Sequence, residues 1–443
     1  MNCVRAAIPQ AARLLGKQRK SSDSPLRFSK YCMQLPVDQG TLLYHTLTGE
    51  LLFMGHEERL EDCADKLEAS WFLVPENFDE QKQTDDLRRL SKLFAAKKNR
   101  NHFTILTTTD CNARCYYCFE VGLKRQTMTT ETARDTAEYI SKVCGDEKVH
   151  IKWFGGEPLY NREAIEVISK ILQEKNIPFT SEMLSNGYYF DAATAKTAVQ
   201  NWNLKKLQIT LDGTKEVYRR TKAYLQRDED PLSRVFDHIE SALQAGIKVS
   251  IRLNMNRQNA EDLMTLADVL NERFPHKQNL NVYVSILKEF VAPVHAFEAE
   301  NELKEKALAL RKRLVELGLH KTATLPKELR CYHCMADQDT REAIMPDGSI
   351  VTCDQIKSAE RLGDIFKTER DRSIAEAWKE TVCSPSCKNC PLYPRCIRLK
   401  KCPWETTECS PGEQAVKMLE MKDSVLAYFR AWKEERTESD TAN

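Results

Sequence analysis

Between residues 103 and 317, short β-branched and aliphatic runs alternate with longer stretches whose apolar positions recur every three or four residues. The short runs predict strands at Phe103–Thr108, Val149–Phe154, Pro178–Leu184, Lys206–Leu211, Ile247–Asn254 and Leu280–Leu287. The longer ones predict helices at Thr130–Val143, Asn161–Lys175, Asp191–Trp202, Pro231–Ala245, Asn259–Phe274 and Glu298–Leu317. Alternation at this spacing argues for βαβ units around a parallel sheet. The expected fold class is α/β, with six repeats forming a partial (β/α)6 barrel over residues 101–325. Thr130 is placed to cap its helix, and Pro158 and Pro231 stand where chains turn or helices begin.

The flanking pattern differs. Residues 28–100 read as a separate small α+β unit, with strands Thr41–Tyr44 and Glu50–Met54 around a Thr48-Gly49 turn and helices at His56–Ala69 and Asp79–Lys98. Residues 326–412 are cysteine-rich with little periodicity, so metal ligation must replace a hydrophobic core there. Residues 413–443 read as an amphipathic helix with a fraying tail, and residues 1–27 as a flexible basic start.

Composition narrows the function classes. Apolar residues make up 42% and charged residues 30%, as in globular chains. The net charge of +1 gives no strong field for nucleic acid or an anionic membrane. No apolar run approaches the ~18 residues of a membrane helix, and Met1–Lys20 lacks the apolar core and cleavage site of a signal peptide. A cytoplasmic protein with neither nucleic-acid nor membrane partners is expected. With 15 glycines and no G-x-G-x-x-G or P-loop pattern, dinucleotide or nucleoside-triphosphate chemistry is not. The 16 cysteines point to metal or catalysis, because nine fall between Cys331 and Cys409 and three more lie close together near residue 115.

Those three, Cys111, Cys115 and Cys118, form a C-x3-C-x2-C run directly after the first predicted strand. Cysteine thiolates are the usual ligands of iron–sulfur clusters, and with no fourth cysteine nearby one iron of a cubane would stay open for a small molecule. The next four strands also end in polar or glycine-rich residues: Gly155-Gly156-Glu157-Pro158, Ser185-Asn186-Gly187, Asp212-Gly213 and Arg252-Leu253-Asn254. Active sites of parallel α/β barrels are built at this edge. Each segment alone could be an ordinary turn; recurring strand after strand, they argue for a site.

The cysteine spacing, with Tyr117 before the last thiol, resembles the radical S-adenosylmethionine (SAM) superfamily. The resemblance implies a [4Fe–4S] cluster on Cys111, Cys115 and Cys118, whose open iron is chelated by SAM. Reductive cleavage would then give methionine and a 5′-deoxyadenosyl radical that takes hydrogen from an unactivated carbon. It further implies that Gly155, Gly156 and Glu157 receive the methionyl ammonium, that Ser185 and Asn186 bond the ribose, and that Tyr117 contacts adenine. Arg252 and Asn254 would reach the SAM carboxylate or the substrate, with a structural role as the alternative.

Downstream, Cys331-x2-Cys334-x13-Gly348-x4-Cys353 followed by Cys387-x2-Cys390-x5-Cys396 resembles a SPASM domain, the auxiliary-cluster module of peptide-modifying radical SAM enzymes. The resemblance implies two further [4Fe–4S] clusters, three in all: one on Cys331, Cys334, Cys353 and Cys402, the other on Cys387, Cys390, Cys396 and Cys409. The spacing from Cys396 to Cys402 departs from the family pattern and leaves the partition of Cys402 and Cys409 open. Cys3, Cys32, Cys63, Cys144 and Cys383 receive no metal role. Asp354, beside Cys353, matches the catalytic base of the sulfatase-maturing relatives, the alternative being a turn-forming aspartate.

The expectation is a radical SAM/SPASM maturase that installs a thioether or carbon–carbon crosslink in a ribosomally made precursor peptide. Its leader would bind residues 28–100, and a flavodoxin- or ferredoxin-type donor would supply electrons. An anaerobic sulfatase-maturing, formylglycine-forming enzyme is the alternative. A zinc-stabilised binding protein without catalysis is the rival from another class, since thiolate tetrads suit zinc as well as iron.

Overall fold

A computed structural model describes the chain apart from residues 17–23, 96–98, 288–295, 322–324, 330, 331, 333, 368, 384, 394, 395, 403–408, 410, 442 and 443. Cys331, one of the expected ligands, therefore lies outside the described residues. Contacts divide the chain into two compact units. One comprises Met1–Lys97, Thr322–Gln338 and Ala377–Asn443, the other Lys98–Lys321 and Asp339–Glu376. The cysteine-rich stretch 326–412, expected as one domain, is thus shared between them.

The first unit contains β1 (Asn2–Arg5), α1 (Pro9–Leu15), β2 (Leu26–Phe28), β3 (Cys32–Val37), β4 (Gly40–His45), β5 (Leu51–Gly55), α2 (Ala64–Ala69), β6 (Leu73–Pro75) and α3 (Glu80–Ala95). The expected hairpin is β4–β5, with Thr41 opposite Met54. Neither of its edges is free: the sheet order is β1-β5-β4-β3, so β1 and β3 form the open edges. Alternation decides what each face buries. Leu42, Tyr44 and Leu51 pack against Val425 and Phe429 of the C-terminal helix, whereas Leu43 and Leu52 pack on Leu67, Phe72 and Leu73. The last three are therefore core rather than pockets for a ligand.

Two expectations fail here. Residues 1–27 are not simply flexible, because Val4 of β1 and Ile8 and Ala11 beside or within α1 are buried. The helix expected at His56–Ala69 shrinks to α2 after a short 3-10 turn, since nothing between His56 and Leu60 is buried.

The second unit is built on β7 (His102–Thr108), α4 (Thr130–Val143), β8 (Val149–Gly155), α5 (Arg162–Glu174), β9 (Phe179–Ser185), α6 (Ala192–Gln200), β10 (Leu204–Leu211), α7 (Lys215–Lys222), α8 (Pro231–Gln244), β11 (Lys248–Met255), α9 (Ala260–Arg273), β12 (Leu280–Ile286) and α10 (Ala296–Glu316). Strands β7 to β12 are parallel and neighbour one another in chain order, the sheet of an α/β partial barrel. Three short strands extend it beyond β7. β13 (Arg341–Ile344) runs parallel to β7, and β14 (Ser349–Val351) and β15 (Arg361–Asp364) follow antiparallel.

Helix α4 is capped by the Thr129 hydroxyl, one residue before the expected Thr130, and α8 starts with Pro231 after the capping Asp230. The fully buried Glu342 of β13 accepts from Tyr139 of α4 at 2.9 Å and pairs with Arg370 at 2.6 Å, which ties β13 to the barrel. Chain order closes with α11 (Arg372–Trp378), β16 (Thr381–Val382), α12 (Pro385–Lys388), β17 (Arg398–Leu399) and α13 (Pro411–Thr441). Among the described residues no helix is long and apolar enough to cross a membrane.

Candidate active site

Period-two alternation along the parallel strands gives the sheet two different faces. Ile105, Trp153, Met183, Ile209, Ile251 and Leu253 bury themselves in one core with the helices. The opposite positions carry Lys152, Glu182, Gln208, Thr210, Arg252, Asn254, Tyr283 and Ser285. Tyr283 donates to Gln208 at 2.9 Å, and Arg252 donates to Ser285 at 2.9 Å. A filled barrel would show apolar residues on both faces; this face is built to meet polar molecules.

The C-x3-C-x2-C loop leaves the end of β7 and is fixed by its own polar groups. Cys111 N–H donates to Asp110 at 2.8 Å, and Arg114, half-buried, caps the carbonyls of Cys111 and Ala113 at 2.5 and 2.8 Å. Asn186, after β9, donates to Asn112 Oδ1 at 2.7 Å and to Cys111 Sγ at 3.7 Å. Tyr116 is 60% exposed and bonds Asn256.

Glycine is required where β8 ends. Gly155 has φ +119°, and a Cβ there would lie 2.1 Å from the Thr108 carbonyl oxygen; one on Gly156 would lie 2.2 Å from that of Asp110. Gly156 N–H and Glu157 N–H donate to those same two carbonyls, each at 3.0 Å. The glycines thus let β8 press against the root of the cysteine loop, a closer constraint than the ligand approach expected of them. Glu157 is fully buried, and its oxygens accept from Ser185 Oγ (2.9 Å), Asn186 N–H (2.8 Å) and Leu159 N–H (3.2 Å). Burial pushes its carboxyl up to about 7 against the pull of these donors. Glu157 and Ser185 therefore already bond one another, and Asn186 joins them to Cys111.

Tyr117 sends its hydroxyl under the loop. It donates to Asp212 at 2.7 Å and accepts from Asn254 at 3.0 Å and from Lys222 at 3.3 Å. Lys222 and Asp212 are both buried and pair at 3.0 Å. Burial alone would lower the Lys222 ammonium, but the charge of Asp212 overrides it and holds Lys222 well above its ordinary range. Sequence reasoning missed Lys222 because α7, rich in charge, shows no apolar stripe. The signal was Tyr218, Thr221 and Lys222 at helical spacing after Thr214, and it is these three that α7 buries.

Asp354 follows β14 and Cys353, and its carboxylate pairs with Lys152 of β8 at 2.6 Å. Lys152 also lies 4.8 Å from the ring centre of Phe154, which stacks on Phe119. Asp354 is thereby fixed over the polar face of the barrel sheet.

The expected cofactors can be tested against these side chains. Among the described residues, no three thiol, imidazole or carboxyl groups are gathered at metal-binding spacing. Burial raises Cys111 to about 12 and lifts Cys115 and Cys118 above the usual thiol range, so metal cations are what would hold them as thiolates. Cys111, Cys334 and Cys353 each accept the amide of the residue two positions on, at 3.4, 3.4 and 3.3 Å, as suits a ligand sulfur. Asn112 Nδ2, Arg252 Nε and Asn254 Oδ1 are buried with no hydrogen-bond partner among the described residues, at a cost of about 1–3 kcal/mol each that a polar ligand would recover. The donor set fits a cluster with a bound polar molecule.

In the first unit, Lys417 of α13 donates to Cys396 at 3.3 Å, and the charges of Arg398 and Lys417 act on Cys409. Arg398 is buried against Glu413, whereas Lys400 is exposed and pairs with Glu380. Cys383, given no role, stands beside Cys387. Cys334, Cys387, Cys390, Cys396, Cys402 and Cys409 belong to this unit and Cys353 to the other.

The family model of the Radical SAM superfamily matches residues 105–270. The GTP 3′,8-cyclase of Campylobacter fetus subsp. fetus (strain 82-40) is 27% identical over 176 residues, 39% of this chain and 52% of that one. The probable GTP 3′,8-cyclase of Methanocaldococcus jannaschii is 26% identical over 275 residues, 56% of this chain and 83% of that one. This chain spans about half the length of the first of these relatives. The solved structure of native anSMEcpe with bound AdoMet and Cp18Cys peptide shares the fold with a TM-score of 0.55 at 14% identity, covering 75% of this chain and 99% of that one.

Proposed function

We propose that this chain, which matches the Radical SAM superfamily model over residues 105–270, is a radical SAM enzyme that acts on a ribosomally made precursor peptide, joining two of its side chains by a thioether or carbon–carbon bond. The observation that carries this reading is the Lys152–Asp354 pair. It holds a carboxylate from the cysteine-rich segment over the polar face of the catalytic sheet. The match to a catalytic superfamily sets aside the non-catalytic zinc reading.

A [4Fe–4S] cluster on Cys111, Cys115 and Cys118, with SAM at its open iron, would supply the means to take hydrogen from an unactivated carbon. The chain's own residues do the rest. Glu157 orients Ser185 and Asn186; Arg252 and Asn254 carry polar atoms without a partner among the described residues, which would bond the ligand. Closing a thioether from a thiol and a carbon radical also releases a proton and an electron. Asp354 would accept the proton, and auxiliary clusters on the C-terminal cysteines would take the electron. In the first unit the open edges β1 and β3 could take an extended leader as an added strand.

Native anSMEcpe, whose fold this chain shares, holds both AdoMet and a peptide, which supports a peptide substrate; formylglycine formation is the alternative reading. The cyclase relatives favour a second reading, cyclisation of GTP.

Asp354→Asn keeps the shape and removes the base. The variant should form 5′-deoxyadenosine from SAM at a near-parental rate while modified peptide falls by roughly 10²–10⁴-fold. Liquid chromatography of the nucleoside and mass spectrometry of the peptide read both in one reaction. Full product yield would remove Asp354 from the chemistry.

A further inference from the structure

Lys222 grips the cysteine loop twice. Its carbonyl accepts from Arg114 N–H at 2.9 Å and from the Cys115 thiol at 3.8 Å. Its ammonium, 2% exposed, reaches Asp212 at 3.0 Å, Thr210 at 2.6 Å and the Tyr117 hydroxyl at 3.3 Å. Tyr117 lies between Cys115 and Cys118, so one residue pins the loop on both sides of Cys115, by main chain and by side chain.

The adjoining backbone shows the same purpose. Ala223 ends α7 at φ 45°, a left-handed conformation that costs a non-glycine residue about 1–2 kcal/mol. With that turn in place, the Ala223 carbonyl also accepts from Arg114 N–H at 3.1 Å, and Leu225 N–H donates to Asn112 at 2.8 Å. A buried lysine–aspartate pair is a poor route to stability, because well-packed apolar residues often do as well; what it can provide is a single arrangement.

We infer that Lys222 is a positioning residue, which with Asp212 and Tyr117 holds the C-x3-C-x2-C loop in the register its metal centre needs. The inference rests on the radical SAM reading but needs no particular substrate.

The test compares full-length wild type with Lys222→Met after anaerobic reconstitution. Electron paramagnetic resonance of the reduced protein is recorded with and without SAM, and iron is assayed without SAM. Only a centre with an open iron responds to SAM, so auxiliary clusters do not obscure the readout. Lys222→Met should lose the iron of one cluster, and its SAM-dependent spectral change should fall about tenfold or more. Should the unpaired Asp212 prevent folding, Asp212→Asn/Lys222→Met removes both charges, and it should give the parental circular dichroism while still lacking the signal. A wild-type response to SAM that survives in either variant overturns the inference alone. A wild type with no response overturns the radical SAM reading and the inference with it.

Discussion

Alanine at Cys111, Cys115 and Cys118 together should abolish formation of 5′-deoxyadenosine from SAM without unfolding the chain. The three thiols are half-buried on a loop whose shape is set by other groups. Asp110, Arg114, Asn186 and Lys222 bond its backbone and side chains. None of those bonds depends on a metal, so the loop has a frame to keep when its sulfurs are gone. The chemistry has none, because a cluster that keeps an open iron needs these thiolates. The C-terminal cysteines are untouched, so the variant should still bind iron and should lose about one cluster's share of it. Iron assay, circular dichroism and chromatography of the nucleoside together check the outcome. Parental 5′-deoxyadenosine formation from the triple variant would place the catalytic centre elsewhere.

Gly155→Ala should be nearly as damaging through backbone geometry alone. At φ +119° any side chain is strained, and the added carbon would lie 2.1 Å from the Thr108 carbonyl oxygen, a backbone atom that cannot swing away. Relief means parting β8 from the start of the cysteine loop and breaking the Gly156 and Glu157 amide bonds to Thr108 and Asp110. A cost of about 3 kcal/mol or more is expected, as for other steric insertions into packed backbone. The melting temperature of the metal-free protein should fall, and iron retention after reconstitution should fall with it. An unchanged melting temperature would show that β8 and the loop are not in close apposition.

The barrel was legible because its strands and helices carry their own periodicity. The six strands and the amphipathic helices lie within a few residues of their expected bounds, since Trp153, Ile165, Leu207 and Leu263 all point into one core. Helix α7 escaped because its buried face includes a lysine, so no hydrophobic pattern marks it. Strands β13 to β15 escaped because they are three or four residues long, and β13, which joins them to the barrel, pairs with β7 across a long stretch of sequence. The same non-locality hid β1, which pairs with β5 across a long stretch of sequence and covers that edge of the hairpin. In the site, the residue types that carry chemistry stood out by spacing. What spacing could not give was how they bond one another: that Glu157 is engaged by Ser185 and Asn186, or that Asp354 has Lys152 as its partner. Those pairings depend on which strand ends are neighbours, and only the folded sheet fixes that.

The peptide reading stands or falls on one reaction. The reconstituted full-length enzyme is incubated anaerobically with SAM, a reductant and the short peptides encoded beside its gene, with GTP in a parallel reaction, and both are read by mass spectrometry. The account predicts a peptide lighter by two hydrogens, with 5′-deoxyadenosine formed in step, and GTP left intact. Conversion of GTP with every peptide unchanged would contradict it.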